Sequence, residues 1–239
     1  MRNYRWWSVF SKVALMLVFS AQVSAAVNVD RTRLVFGAGD VARSLNLSND
    51  GAIPMVIQVW ADDGNPASTP DVNPTPVVII PPVFKMLPGE LRSLKLMLAS
   101  RQGLAEDRET LFWLNIYQIA PDNVASGREG QKVILPLRLR MKIFVRPAGL
   151  QPPEEKDERG LRFSVSPETL RVANPSPWFM SLSLHLPGQQ KPTSMMIAPH
   201  GEEQISRPAS LHSGSRLVYD VITDDGNYRR YQANLTTGG

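Results

Sequence analysis

Residues Gln131 to Arg146 read QKVILPLRLRMKIFVR. Every odd position from Val133 to Val145 is apolar: Val133, Leu135, Leu137, Leu139, Met141, Ile143 and Val145. The even positions carry Lys132, Arg138, Arg140, Lys142 and Arg146, interrupted by Ile134, Pro136 and Phe144. A period of two predicts a β-strand with one apolar face. At about 3.3 Å per residue the run would reach roughly 50 Å, whereas a unit of about 120 residues has a radius of gyration near 14 Å. Part of it is expected to bend or overhang its sheet. Pro136 has no amide proton to donate and so predicts an edge position, and an apolar unpaired edge is what soluble proteins usually blunt. Two readings stay open from the run alone: a long core strand, or an edge that pairs main chain to main chain with a partner's sheet while alternate side chains fill the partner's pockets.

The chain around it has 239 residues, enough for one large or two modest domains with a real core. Residues 1–25 are set apart. Arg2, Arg5 and Lys12 precede the apolar run Val13 to Phe19, and Val23-Ser24-Ala25 offers small residues for cleavage, the pattern of a secretory signal peptide. The run is too short to span a bilayer, and no later stretch approaches the required ~20 apolar residues, so the mature chain is expected not to insert in a membrane. The net charge of +4 falls to +1 when the signal's three basic residues are removed, since it carries no acidic ones. Global attraction to nucleic acid is therefore not expected. The chain has no cysteine, which excludes thiol catalysis, cysteine–zinc sites and iron–sulfur clusters and leaves the fold to rest on its core.

Working outward, short β-rich runs alternate with turn residues: Val27 to Phe36, Ser44 to Ser48, Met55 to Trp60, Val77 to Ile80, Leu91 to Leu98 and Thr110 to Ile119, followed by the long strand. Leu45 with Leu47, and Leu94 with Leu96 and Leu98, each share one side. About seven strands in roughly 120 positions predict an antiparallel immunoglobulin-like sandwich over residues 26–147. A linker, 148–160, is marked by Pro147-Ala148-Gly149 and by Pro152-Pro153 with the charged run Glu154 to Glu158. Residues 161–239 repeat the texture with seven more strands, a second β-sandwich. The fold class is all-β, and no segment of the mature chain has a convincing helical period.

Several segments, taken in order and at their spacings, resemble the periplasmic pilus-assembly chaperones of the chaperone–usher pathway. They are DRTRLVF (Asp30 to Phe36), LSND (Leu47 to Asp50), PPVFKMLPGE (Pro81 to Glu90), DRETLFWLNI (Asp107 to Ile116), KIFVRP (Lys142 to Pro147) and NPSPWF (Asn174 to Phe179). The resemblance implies two immunoglobulin-like domains in a boomerang arrangement. It implies that Arg33 and Lys142 anchor the terminal carboxylate of a pilus or fimbrial subunit in the inter-domain cleft, where charge-assisted donors offset dehydration. It implies that Val133, Leu135, Leu137 and Leu139 fill the groove left by the subunit's missing strand. Three or four such side chains contribute roughly 5 to 12 kcal/mol gross before association costs. It further implies that Glu109, Arg146 and Asp224 form a salt-bridge cluster between the domains, that an outer-membrane usher receives the subunit, and that the protein works in the periplasm. A second copy capping the apolar strand is a further partner the pattern allows.

Two features depart from the family pattern. Lys85 stands where arginine is frequent, which removes bidentate geometry there. The loop from Ala120 to Gly130 is somewhat long, yet the cysteine pair of the long-loop branch is missing, which places the chain nearer the short-loop group.

Two rival function classes find little support in the residues. An enzyme is disfavoured: His185, His200 and His212 have no metal-ligand spacing, no nucleophile elbow or phosphate-binding loop is present, and Asp62-Asp63-Gly64 and Asp224-Asp225-Gly226 read as turns. No metal, cofactor or nucleotide is expected. A structural or adhesive fibre subunit of the same fold remains the alternative, disfavoured by two complete-looking domains and the absence of a disulfide.

Overall fold

The structure, a computed structural model, describes residues 27–72, 75–120 and 136–238. It is built from β-strands in two units, each a pair of sheets closed over its own apolar core. The first unit contains β1 (Val27–Val29), β2 (Arg33–Phe36), β3 (Ala42–Asn49), β4 (Met55–Asp62), β5 (Val77–Ile80), β6 (Val83–Met86), β7 (Leu91–Leu98), β8 (Thr110–Ile119) and β9 (Leu137–Val145). One sheet has the order β1-β3-β7-β5 and the facing one β2-β9-β8-β4-β6. Alternation decides which side chains meet between them. Leu45 and Leu47 of β3 and Leu94, Leu96 and Leu98 of β7 face Phe112, Leu114 and Ile116 of β8 and Met141, Ile143 and Val145 of β9, all buried.

The expected single strand from Val27 to Phe36 is a correction: it is two strands in two different sheets. β1 runs antiparallel to β3, while β2 runs parallel to β9 with Arg33 opposite Lys142 and Phe36 opposite Val145. The break falls at Asp30, whose carboxylate accepts from the Asn46 amide and side chain and whose own amide donates to the Asn46 carbonyl. The apolar phase changes across it, from odd positions Val27 and Val29 to even positions Leu34 and Phe36, and a strand cannot change faces without turning.

The long strand is also only partly an edge. Residues 142–145 of β9 lie between β2 and β8, whereas Leu137 to Met141 have β8 alone beside them among the described residues. The edge position inferred from Pro136 therefore holds for the first half of β9 and fails for the second. Val133 and Leu135 lie outside the described residues, as does most of the loop after Ala120.

The second unit contains β10 (Arg162–Val165), β11 (Thr169–Ala173), β12 (Met180–His185), β13 (Thr193–Ile197), β14 (Glu202–Ser206), β15 (Arg216–Ile222), β16 (Tyr228–Asn234) and β17 (Thr236–Thr237). Its sheets are β14-β11-β10-β17 and β13-β12-β15-β16. The two-residue β17, parallel to β10, is an addition to the seven strands expected. The connecting segment holds a one-turn helix, α1 (Glu155–Glu158), closed by a reciprocal capping box between Glu154 and Asp157. It is too short to leave a period in the sequence. Glu158 is buried against the second unit, accepting from the Tyr231 hydroxyl at 2.5 Å and Arg229 at 3.0 Å.

Candidate functional site

The cleft between the units is lined by β2 and β9 on one side and by β12 and the β15–β16 turn on the other. Arg33 and Lys142 are register neighbours on parallel strands, so their side chains leave the sheet on the same face. Arg33 Nη1 donates to the carbonyl of Ile222 at 3.0 Å, and Lys142 Nζ donates to Ser181 Oγ at 3.1 Å. The buried Nε of Arg33 has no partner.

Electrostatically the pair is unbalanced. Neither cation has a carboxylate within ion-pair distance among the described residues. Burial first, and the neighbouring Arg33 charge second, push the Lys142 ammonium down to about 8. Burial also lowers Arg33, offset in part by the more distant Asp224 and Glu109. Two part-buried cations thus stand side by side without a carboxylate partner among the described residues, and Arg33 Nε is unused. A carboxylate fits their donors.

Beside them lies a closed network. Arg146 Nε donates to Glu109 Oε1 at 2.6 Å, and its two terminal nitrogens hold both oxygens of Asp224 at 2.7 Å. The second oxygen of Glu109 accepts from the Phe179 amide at 2.8 Å, and the Glu109 amide donates to the Pro177 carbonyl at 2.9 Å. Burial raises the Glu109 carboxyl despite Arg146, while the two carboxylates raise Arg146 against its own burial. Glu109, Arg146 and Asp224 thus meet and join the two units. Because desolvation offsets most of the attraction, such a network fixes orientation more than it adds stability. Gly226 shapes the turn that presents Asp224: its φ is +81°, and a Cβ there would lie 2.6 Å from Thr32 Oγ1 at the β1–β2 break.

On the free half of β9, Leu137 is 51% exposed and Leu139 is partly buried against the core. They are in phase with Met141, Ile143 and Val145. The sequence did not single out Ser181, the hydroxyl on Lys142. Its one signal is that serine takes the outward positions 181 and 183 of an otherwise apolar β12.

Comparison with known proteins identifies this architecture. The family described as pili and flagellar-assembly chaperone, PapD N-terminal domain, matches residues 26–151, and the pili assembly chaperone PapD C-terminal domain matches residues 157–233. The chain is a member of this family of pilus-assembly chaperones. Its similar relatives include the chaperone protein MrkB of Klebsiella pneumoniae, 32% identical over 90% of this chain and 95% of the relative. The chaperone protein FimB/FhaD of Bordetella pertussis is 30% identical over 93% of each. The crystal structure of the Pseudomonas aeruginosa CupB2 chaperone superposes with a TM-score of 0.71 at 26% identity, covering 87% of this chaperone and all of that chain. Membership makes the function one of binding and assembly, not catalysis.

Proposed function

We propose that this chaperone captures incomplete fimbrial subunits by lending them the free edge of β9, fixes the subunit's terminal carboxylate between Arg33 and Lys142, and delivers it to an outer-membrane usher. The observation that carries the reading is the position of the two cations, uncompensated among the described residues, directly continuous with a strand segment that has, among those residues, a neighbour on one side only. A guest strand lying in line with β2, ahead of its start at Arg33, would run along Leu137 to Met141 and end at the cations. Leu137 and Leu139, with Val133 and Leu135 before them, would point into the guest's open groove. The Glu109–Arg146–Asp224 network holds the second unit at the angle that keeps the cleft open. The signal-like pattern at residues 1–25 supports the periplasm as the compartment, and family membership supports the usher as the recipient.

The test is co-expression with the cognate subunit. Arg33→Ala and Lys142→Ala variants are expected to stay folded and to lose recovery of subunit. A double variant that still recovers subunit at the unaltered level would overturn the anchor. Glutamate at Leu137 should weaken capture while the melting temperature changes little, since Leu137 is exposed in the free protein.

A further inference from the structure

The outer face of the five-stranded sheet carries a three-by-three array set by register. Arg138, Tyr117 and Gln58 form one row, Arg140, Asn115 and Trp60 the next, and Lys142, Trp113 and Asp62 the third, each drawn from β9, β8 and β4 in turn. Asp62 was read from the sequence as a turn residue. It does accept from the Gly64 amide at 2.7 Å, yet its side chain is wholly buried and does much more than close a turn.

The carboxylate of Asp62 reaches diagonally across β8 to Arg140 Nη2 at 2.5 Å and takes Asn115 Nδ2 at 2.6 Å and Ser68 Oγ at 3.1 Å. Arg138 joins the same knot. Its Nε donates to Asn115 Oδ1 at 2.9 Å, its Nη1 to the Pro66 carbonyl at 2.6 Å, and its Nη2 lies 3.8 Å from Asp62. Each guanidinium also lies over an indole, Arg138 on Trp60 at 4.8 Å and Arg140 on Trp113 at 4.6 Å. Burial alone would raise the Asp62 carboxyl. The bonds from Asn115, Arg140 and Gly64 instead hold it below its ordinary value, so the knot is ionic.

Arginines on an outer strand face are ordinarily solvated, and a wholly buried aspartate is costly without a purpose that compensates it. The two that Asp62 holds belong to the half of β9 that has one neighbouring strand. A slip of one residue would exchange the faces of the strand, and the core holds that register least at its start, where Leu137 is exposed. With Arg138 and Arg140 pinned outward across β8, Leu137 and Leu139 are turned to the opposite face before any guest arrives.

We propose that Asp62 is the positioning residue of the donated strand. It holds Leu137 to Met141 in the register and face assignment that a guest needs. This rests on the strand-donation reading above.

The experiment uses the full mature chain with its cognate fimbrial subunit, and compares Asp62→Asn with a charge-free variant carrying Asp62→Asn, Arg138→Gln and Arg140→Gln, each well below its melting temperature. The second variant leaves no unpaired arginine if the first folds poorly. Amide hydrogen exchange is read at 137–141 against 142–145 of the same strand, and capture is read as the rate of complex formation. The expected result is exchange at least tenfold faster at 137–141 with 142–145 unchanged, and capture slowed about tenfold in both variants. Unaltered exchange and capture, in a preparation where Lys142→Met abolishes capture, overturn the role of Asp62 and leave strand donation standing. Uniformly faster exchange along all of β9 also overturns it, because that is general destabilisation. If neither Lys142→Met nor glutamate at Leu137 affects capture, strand donation fails and the role of Asp62 falls with it.

Discussion

Arg146, just past the end of β9, and the pair formed by Lys142 of β9 and Arg33 of β2 lie along the seam between the units, and they are treated in opposite ways. Arg146 is buried with every nitrogen engaged, one carboxylate from each unit closing on it. Lys142 faces a cation and a serine hydroxyl, and Arg33 beside it spends one bond on a carbonyl and leaves Nε unused. A buried charge that is paired holds structure together. One left unpaired raises the free energy of the empty protein, and an arriving anion releases that energy. On this difference rests the proposed division into a hinge clamp and a receptor.

The largest effect that would break this distinction is on binding. Replacing both Arg33 and Lys142 with methionine should lower subunit capture at least about 100-fold, since each charge-assisted contact is worth roughly 2 to 5 kcal/mol and about 1.4 kcal/mol is tenfold. Thermal stability should hold or rise, because the empty receptor is a cost. Equilibrium binding and a melting curve on the same sample check both halves. A large fall in melting temperature would put these residues in the clamp's class instead.

The clamp should answer in the reverse sense. Glu109→Gln leaves the buried Arg146 partly unpaired and should destabilise the protein by about 3 kcal/mol, read by denaturant unfolding. Capture measured well below the melting temperature should change much less than stability does.

pH sharpens the contrast, because the two consequences of Lys142 run in opposite directions. Its free-state value of about 8 lies below the ordinary 10.5, so between those values the unfolded chain binds more protons than the folded one and stability rises with pH. Capture needs the ammonium and should fall over the same range, by at most about tenfold per pH unit above 8. Binding and melting followed from pH 7 to 9.5 test this, with Lys142→Met flat in both.

How much of this was legible in the sequence depends on the range of the interaction. Alternation is local, so Leu45, Leu94, Leu96, Met141 and Ile143 could be assigned to the core from their spacing, and the strands of the second unit followed from the same rule. The break at Asp30 was also local, but it was hidden in a continuous β-rich run and marked only by a change of phase. Asp62 could not be read correctly at all. An aspartate before Asp63-Gly64 has the chemistry of a turn, and its burial depends on arginines 76 and 78 positions away that cross an intervening strand. Ser181 likewise gains its role from a lysine in the other unit. Arg33, Lys142, Glu109, Arg146 and Asp224 came from resemblance, and spacing alone would not have found them.

The smallest expected effect asks whether clamp and receptor are separable at all. Asp224 holds Arg146 directly, and its charge is also the largest attraction acting on Arg33. That same charge repels an incoming carboxylate. Asp224→Asn should therefore cost about 1 kcal/mol of stability, discounted because its side chain is 33% exposed, while capture tightens by roughly two- to threefold, within the range expected of a partly screened charge. A double-mutant cycle with Arg33→Ala isolates the coupling: if the gain in capture disappears when Arg33 is absent, it acted through the receptor. If the gain persists, Asp224 acts on the domain angle alone, and clamp and receptor are independent devices on neighbouring strands.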